Sequence, residues 1–195
     1  MKEKMRSQKR RLKVKPWFFP KPAVLVGAMV NGRANFNTIA NCGVICYEPA
    51  MVSVSSWYGH YTNIGIKKEK AFSVNFPSAK MARITDYCGL YSGRKIDKSR
   101  LFNVFFGETK VAPMIMECPV NLECRLEKVL RLGEDEVFIG KIVGIYADEE
   151  IMIGGRVSIK KMDPLIYSTS DKKYFRLGKE LGKAYQIGKT LGEKK

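Results

Sequence analysis

The residues best suited to chemistry lie between Asn35 and Ser78, and they are hydroxyls and amides rather than ions. In Met51–Ser56, Val52 and Val54 alternate with Ser53 and Ser55; Ser56 and Trp57 follow. In Ala71–Pro77, Phe72, Val74 and Phe76 alternate with Ser73 and Asn75. A period of two belongs to a strand with one buried face. The other face sets uncharged donors beside an apolar wall, the make-up of a small-molecule pocket. Two polar clusters flank these strands. Asn35–Ala40 has the composition of a loop and offers Asn37, Thr38, Ile39 and Ala40. His60, Tyr61, Thr62 and Asn63 stand at the expected start of a short helix, where free N–H groups suit an anion. His60 is the single histidine. Without a second histidine or a nearby carboxylate it supports neither a Ser-His-Asp triad nor a His-rich metal site, and an ordinary loop position suits it as well. No G-x-G-x-x-G or G-x-x-x-x-G-K-S/T loop is present.

These groups need a scaffold, and the pattern supplies strands. Ala23–Val30 ends at the turn pair Asn31-Gly32; Cys42–Tyr47 is broken by Glu48-Pro49; Ala50–Ser56 and Ala71–Phe76 follow. Thr62 or Asn63 is the expected cap of a helix that runs into Lys67, Lys68 and Lys70. Ser78 is the expected cap of a second, with Met81, Ile84, Thr85 and Cys88 on its inner stripe. Asp97 or Ser99 suits a short turn through Phe105. Val120–Glu127 alternates, Gly133–Asp135 turns, and Glu136–Tyr146 returns as a long strand. Such strands, with helices between them, make a mainly β fold: a closed or nearly closed antiparallel barrel with helical insertions. Glycines 178, 182, 188 and 192 leave a marginal helix at most in the C-terminal tail.

Charge divides the chain in three. Of the net +16, residues 1–15 carry eight Lys/Arg against one Glu and residues 172–195 eight against two, which leaves +3 for the 156 residues between. Basic ends attract phosphates without sequence preference, or simply keep a protein soluble. The expected organisation is a basic tail over 1–15, one domain over 16–178 and a basic tail over 179–195. Five cysteines at spacings foreign to zinc sites, with no signal peptide, fit reduced buried thiols in a cytoplasmic protein. A redox role for the Cys42/Cys46 pair has no support in the sequence. The apolar runs are strand-sized, so no membrane span is expected. Trp17-Phe18-Phe19, flanked by prolines, is too apolar for water and should pack on the body or on a second subunit.

Asn35-Phe-Asn-Thr-Ile-Ala40, Pro49-Ala-Met-Val-Ser-Val-Ser55, Tyr61-Thr-Asn-Ile-Gly65 and Phe72-Ser-Val-Asn-Phe-Pro77, in that order, resemble the flavin reductase-like, FMN-binding split-barrel family. Ser92-Gly-Arg-Lys-Ile-Asp-Lys98 and Tyr174-Phe-Arg-Leu-Gly178 are similar to its flavoredoxin branch, and the likeness covers roughly residues 20 to 180. The resemblance implies an antiparallel split barrel, bound FMN, a homodimer, and electron flow from NAD(P)H or another reduced donor to a soluble acceptor. It places Asn37–Ala40 and Ser53–Ser56, ahead of Trp57, against the flavin, and Lys98 near it. Phosphate and ribityl chain then fall to His60, Tyr61, Thr62 and Asn63, with Ser78 and Lys80 as further candidates, while Tyr174, with Tyr167 and Phe175, would cover the ring or anchor the tail. A flavin carries its own redox chemistry, so the lack of paired carboxylates is no obstacle. Two other classes stay open. One is an FMN binder without turnover. The other is a small basic barrel for nucleic acid, which would interleave basic and aromatic residues on its sheet faces.

Overall fold

The structure, a computed structural model, describes residues 9–192; residues 1–8 and 193–195 of the expected tails lie outside the described residues. Nine elements build the body. They are β1 (Val24–Val30), β2 (Arg33–Ile39), β3 (Cys42–Cys46), β4 (Met51–Trp57), α1 (Thr62–Glu69), β5 (Ala71–Phe76), α2 (Ala82–Leu90), β6 (Val120–Leu132) and β7 (Asp135–Ala147). The strands form one seven-stranded antiparallel sheet in the order β2-β1-β5-β6-β7-β4-β3. Its two outermost strands, β2 and β3, are neighbours in the chain, joined only by Ala40 and Asn41. A sheet whose edges are tied this closely has to roll up. No ladder stitches β2 to β3 among the described residues, so the barrel stays split along that seam.

The expected loop at Asn35–Ala40 is thus corrected to a strand, β2. Its alternation is masked because both faces are buried. Ala34 and Phe36 point outward into an apolar cluster under α2, whereas Asn35 and Asn37 point inward and find polar partners. β1 is likewise covered on both sides: Val24, Val26 and Ala28 face the barrel interior with Phe72, Val74, Phe138 and Ile66 of α1, and Leu25 faces α2. Phe36, Phe72 and Phe138 are fully enclosed, each worth about 1.5–3 kcal/mol on burial. Gly140 keeps β7 close to β5, since a Cβ there would run into the Phe72 ring.

α1 begins at Thr62, so neither Thr62 nor Asn63 caps it; Tyr61 holds that place without a side-chain bond. Ser78 precedes a 3-10 turn, Ala79–Met81, also without a side-chain cap, and α2 follows. The predicted stripe is found, with Met81, Ile84 and Cys88 in the outer cluster and Thr85 buried. Asp97 caps the turn Lys98–Leu101 by accepting from Ser99 N at 3.1 Å. Three short strands, Lys21–Pro22, Ile166–Ser168 and Lys173–Phe175, make a second small sheet. No α-helix forms in the C-terminal tail between 176 and 192. Trp17, Phe18 and Phe19 are exposed on the isolated chain. Among the described residues no helix is long and apolar enough to cross a membrane.

Candidate functional site

Beside the seam runs a trough. Three clefts of about 330, 350 and 320 Å³ adjoin one another. Trp57 and His60 belong to the first two, and Thr38, Ala40 and Tyr167 to the first and third. The middle stretch is bounded by the end of β2 and by Ser55 and Trp57 of β4. One end lies under the loop carrying Gly93, Arg94 and Lys98, across from Tyr61 and Thr62. The other end is closed by Tyr167, Lys172 and Tyr174.

A buried polar chain stands behind the His60 wall. Asn63 Nδ2 donates to Trp57 O at 3.1 Å and to Glu136 Oε2 at 3.0 Å, which fixes the amide with its oxygen toward Ser56. Ser56 Oγ donates its one proton to that oxygen at 2.7 Å. The same Oγ lies 2.9 Å from His60 Nδ1, so the ring nitrogen is the donor there. Asn37 Nδ2 lies 3.1 Å from the same ring nitrogen; with Nδ1 protonated that amide turns over and presents its oxygen, its two ends being assigned by bonding alone. His60 in its neutral form is therefore the Nδ1–H tautomer, with Nε2 left as an acceptor. Burial, then the Lys98 cation, lower its pKa, against a smaller opposing pull from Asp135. At neutral pH the ring is uncharged. Lys67 Nζ, 2.7 Å from Glu136 Oε1, balances the carboxylate at the far end of this chain.

The cationic end is built differently. Lys98 is buried and donates to Phe36 O at 2.9 Å and Cys88 O at 2.6 Å. Burial lowers its pKa, and the ammonium has one N–H beyond those two bonds. The Arg94 guanidinium lies over the Tyr61 ring at 5.2 Å and bonds Gly59 O at 3.2 Å. Gly93 is required between them, because a Cβ would collide with Asn35 Oδ1. Asn35 in turn donates to Thr62 Oγ1 at 2.7 Å, which fixes the wall opposite. At the other end Tyr174 Oη donates to Asp86 Oδ1 at 3.0 Å; burial and that carboxylate raise the phenol's pKa.

Most predicted residues gather here. Thr38, Ile39, Ala40, Ser55, Trp57, His60, Tyr61, Thr62, Asn37, Lys98 and Tyr174 line the trough. Ser56 and Asn63 stand behind its wall. Thr38 spends its hydroxyl on Thr85 O, and Ser55 on Asp135 Oδ2 at 3.1 Å. Three candidates lie elsewhere. Ser53 faces Gly43 O on the outer edge, Ser78 bridges to Pro164, and Lys80 is exposed. No local pattern marks Glu136, which lies 73 residues from the amide it orients. Thr169 was also missed. Its Oγ1 is sealed from solvent without a hydrogen-bond partner, and the residue lines the middle cleft. All five cysteines are free; burial pushes Cys42 and Cys88 up to about 11, so neither is a ready thiolate.

The flavin reductase like domain model matches residues 18–176. The chain belongs to the flavin reductase-like family. Among solved structures, this family member is similar to flavoredoxin from Methanosarcina acetivorans, at 43% identity and a TM-score of 0.90 over 94% of this chain and 100% of that one. It is also similar to flavoredoxin of Desulfovibrio vulgaris, at 32% and 0.87 over 93% and 100%. A third likeness is to an FMN-binding protein from Thermus thermophilus with bound 1-cyclohex-2-enone, at 25% and 0.77 over 90% and 98%. The split barrel expected from the resemblance is thereby shown as the fold of this flavin reductase-like chain.

Proposed function

We propose that the trough holds FMN and that the protein is a flavoredoxin-type oxidoreductase, passing electrons from NAD(P)H or another reduced donor to a soluble acceptor. The observation that carries this reading is the trough itself, polar and cationic at one end and lined by small or flat side chains in the middle. Its residues fit the group. Arg94, Lys98 and Thr62 offer donors for a phosphate, and Ala40 leaves room for a flat ring beside Trp57. The orphaned Thr169 hydroxyl needs a partner that a bound molecule would supply, since a sealed and unpaired polar atom is costly. Flavoredoxins and an FMN-binding protein among the similar structures favour FMN over other flat ligands. Held by these residues, FMN would supply the hydride- and electron-transfer chemistry. The protein's share is position. His60 presents Nε2 as an acceptor, Lys98 places positive charge beside the cleft, and Tyr167 with Tyr174 screens the far end from water.

A homodimer accompanies this reading. The unpaired edge strand β3 exposes Val44 and Ile45, and Trp17–Phe19 adds a second apolar patch. The flavin site resides in the domain over 16–178, flanked by the basic tails. Free thiols fit a cytoplasmic setting. The test is an absorbance spectrum of the purified protein with an FMN titration. A yellow protein that takes up FMN at micromolar concentration is expected, and anaerobic NADH or NADPH should bleach it. A colourless chain that ignores FMN would overturn the proposal; a yellow one that no reduced donor bleaches would be a passive binder.

A further inference from the structure

The two basic tails, far apart in sequence, leave the body at one place. Pro16 lines the middle cleft beside Lys21 and Tyr167, so the cations Lys9, Arg10, Arg11, Lys13 and Lys15 lead directly to its lip. Lys172 and Tyr174 line the adjoining cleft, also beside Tyr167; Arg176 is paired with Asp163 at 2.8 Å, and Lys173, Lys179, Lys183 and Lys189 continue outward. The small sheet forces this meeting, because Lys21 pairs with Tyr167 and Tyr167 with Tyr174. From 9 to 21 every charged residue is a cation, and all of Lys9–Lys15 are exposed. From 171 to 189 six cations face two carboxylates; Asp171 is held by Ser168 and Ser170. Of the carboxylates within the trough, the half-buried Asp135 accepts from Ser55, and Asp86, exposed at the far end, accepts from Tyr174. The rest of the body is close to neutral, so the potential is concentrated around this one opening.

We propose that this basic rim is a docking surface for an acidic electron-carrier protein, which it steers onto the mouth of the trough. The inference rests on the flavin reading of that trough and supplies the class of its partner. Two arms without α-helix, of which 9–15 alone can extend over roughly 23 Å at ~3.3 Å per residue, span a protein face rather than a single dinucleotide. Nucleic acid is disfavoured because the sheet faces carry no interleaved bases-and-aromatics pattern and the cations ring a redox mouth. Complementary charge at a rim chiefly raises the association rate and falls off with salt.

The experiment uses the full chain loaded with FMN and a full-length variant carrying Arg10→Gln, Arg11→Gln, Lys13→Gln, Lys179→Gln, Lys183→Gln and Lys189→Gln, none of which lines the trough. The probe is an acidic [2Fe–2S] ferredoxin, with a basic cytochrome as control, and binding is measured by calorimetry at low and at physiological ionic strength. Expected is ferredoxin binding by the wild type that weakens about tenfold or more in the variant and with salt, and no binding of the cytochrome. Equal affinity of the two proteins, or no binding at all, overturns the proposal. So does tighter binding of a DNA duplex than of ferredoxin, or a variant that only loses its second copy while its ferredoxin affinity stands. Flavin content is read separately by absorbance: a yellow chain that ignores ferredoxin refutes the docking surface alone, and a colourless chain that binds it refutes the flavin reading alone.

Discussion

Two buried glutamates, Glu123 on β6 and Glu136 on β7, sit on adjacent strands and do different work. Glu123 is fully enclosed and saturated. It accepts from Glu108 N at 3.0 Å, Thr109 N and Thr109 Oγ1 at 2.7 Å each, and Tyr146 Oη at 3.1 Å. Burial pushes its pKa up, yet the bonds from Thr109, Glu108 and Tyr146 outweigh that and leave it below the usual value. Glu136 hands its influence on, through Asn63 and Ser56, to a histidine whose far nitrogen remains an acceptor. Burial of a carboxylate therefore says little about function. What counts is whether its chain of bonds closes on itself or ends beside a cleft.

The comparison can be broken most directly at Glu123. Glu123→Ala should cost about 3 kcal/mol or more in urea unfolding, because charged hydrogen bonds are lost and sealed donors are stranded, with FMN uptake per folded molecule unchanged. Its lowered pKa gives the sign with pH: this stability is present above the unfolded value of about 4.5 and lost as pH falls through the folded one, so the variant should show a flatter acid limb. A loss of flavin affinity larger than the loss of stability would erase the distinction. Next comes Gly93→Val, at the cationic end of the trough. The added side chain has to displace Asn35, and FMN affinity measured by fluorescence quenching should fall about tenfold, ~1.4 kcal/mol, with a smaller shift in Tm.

Glu136→Gln sharpens the contrast further. With the acceptor altered, Asn63 is free to turn and the Ser56 proton can go to His60 instead. Nitrogen NMR of the ring should show Nδ1–H in the wild type and a mixture in the variant, with an FMN affinity loss of about 1 kcal/mol. An Nε2–H ring in the wild type would refute the relay. The smallest effect is expected from His60→Gln. A histidine with a lowered folded pKa destabilises as pH falls below its unfolded value of 6.5, so wild-type stability should drop through that region and the variant's should not. Melts across pH 5 to 7.5, at about a few tenths of a kcal/mol resolution, decide it.

The barrel was legible in the sequence wherever one strand face was only half-buried and carried hydroxyls, as at Ser53 and Ser55 of Met51–Ser56, or wherever a long hairpin declared its turn, as at Gly133. β2 was hidden because its polar residues are buried too. Asn35 and Asn37 look like loop residues until their partners Thr62 and His60, 27 and 23 positions away, are in place. The site followed the same rule. Residues carried by contiguous motifs, such as Thr38, His60 and Lys98, reached the trough, whereas Ser53, Ser78 and Lys80 went elsewhere because a one-residue step along a strand or turn changes which side a group faces. Glu136 and Thr169 gave no signal, since their roles depend on a fold that brings distant stretches together. The tails could be counted beforehand but not located.

The connection Ala40-Asn41 holds one further lesson. Because both lips of the seam are spelled by a single stretch, Arg33–Cys46, the aperture is set by two linking residues instead of by assembly of remote loops. One inserted residue there would widen the slot by up to ~3.5 Å, while the same insertion at the Gly133 turn would merely lengthen a solvent-facing bend. Aperture, and with it the thickness of the guest, is in that sense written locally.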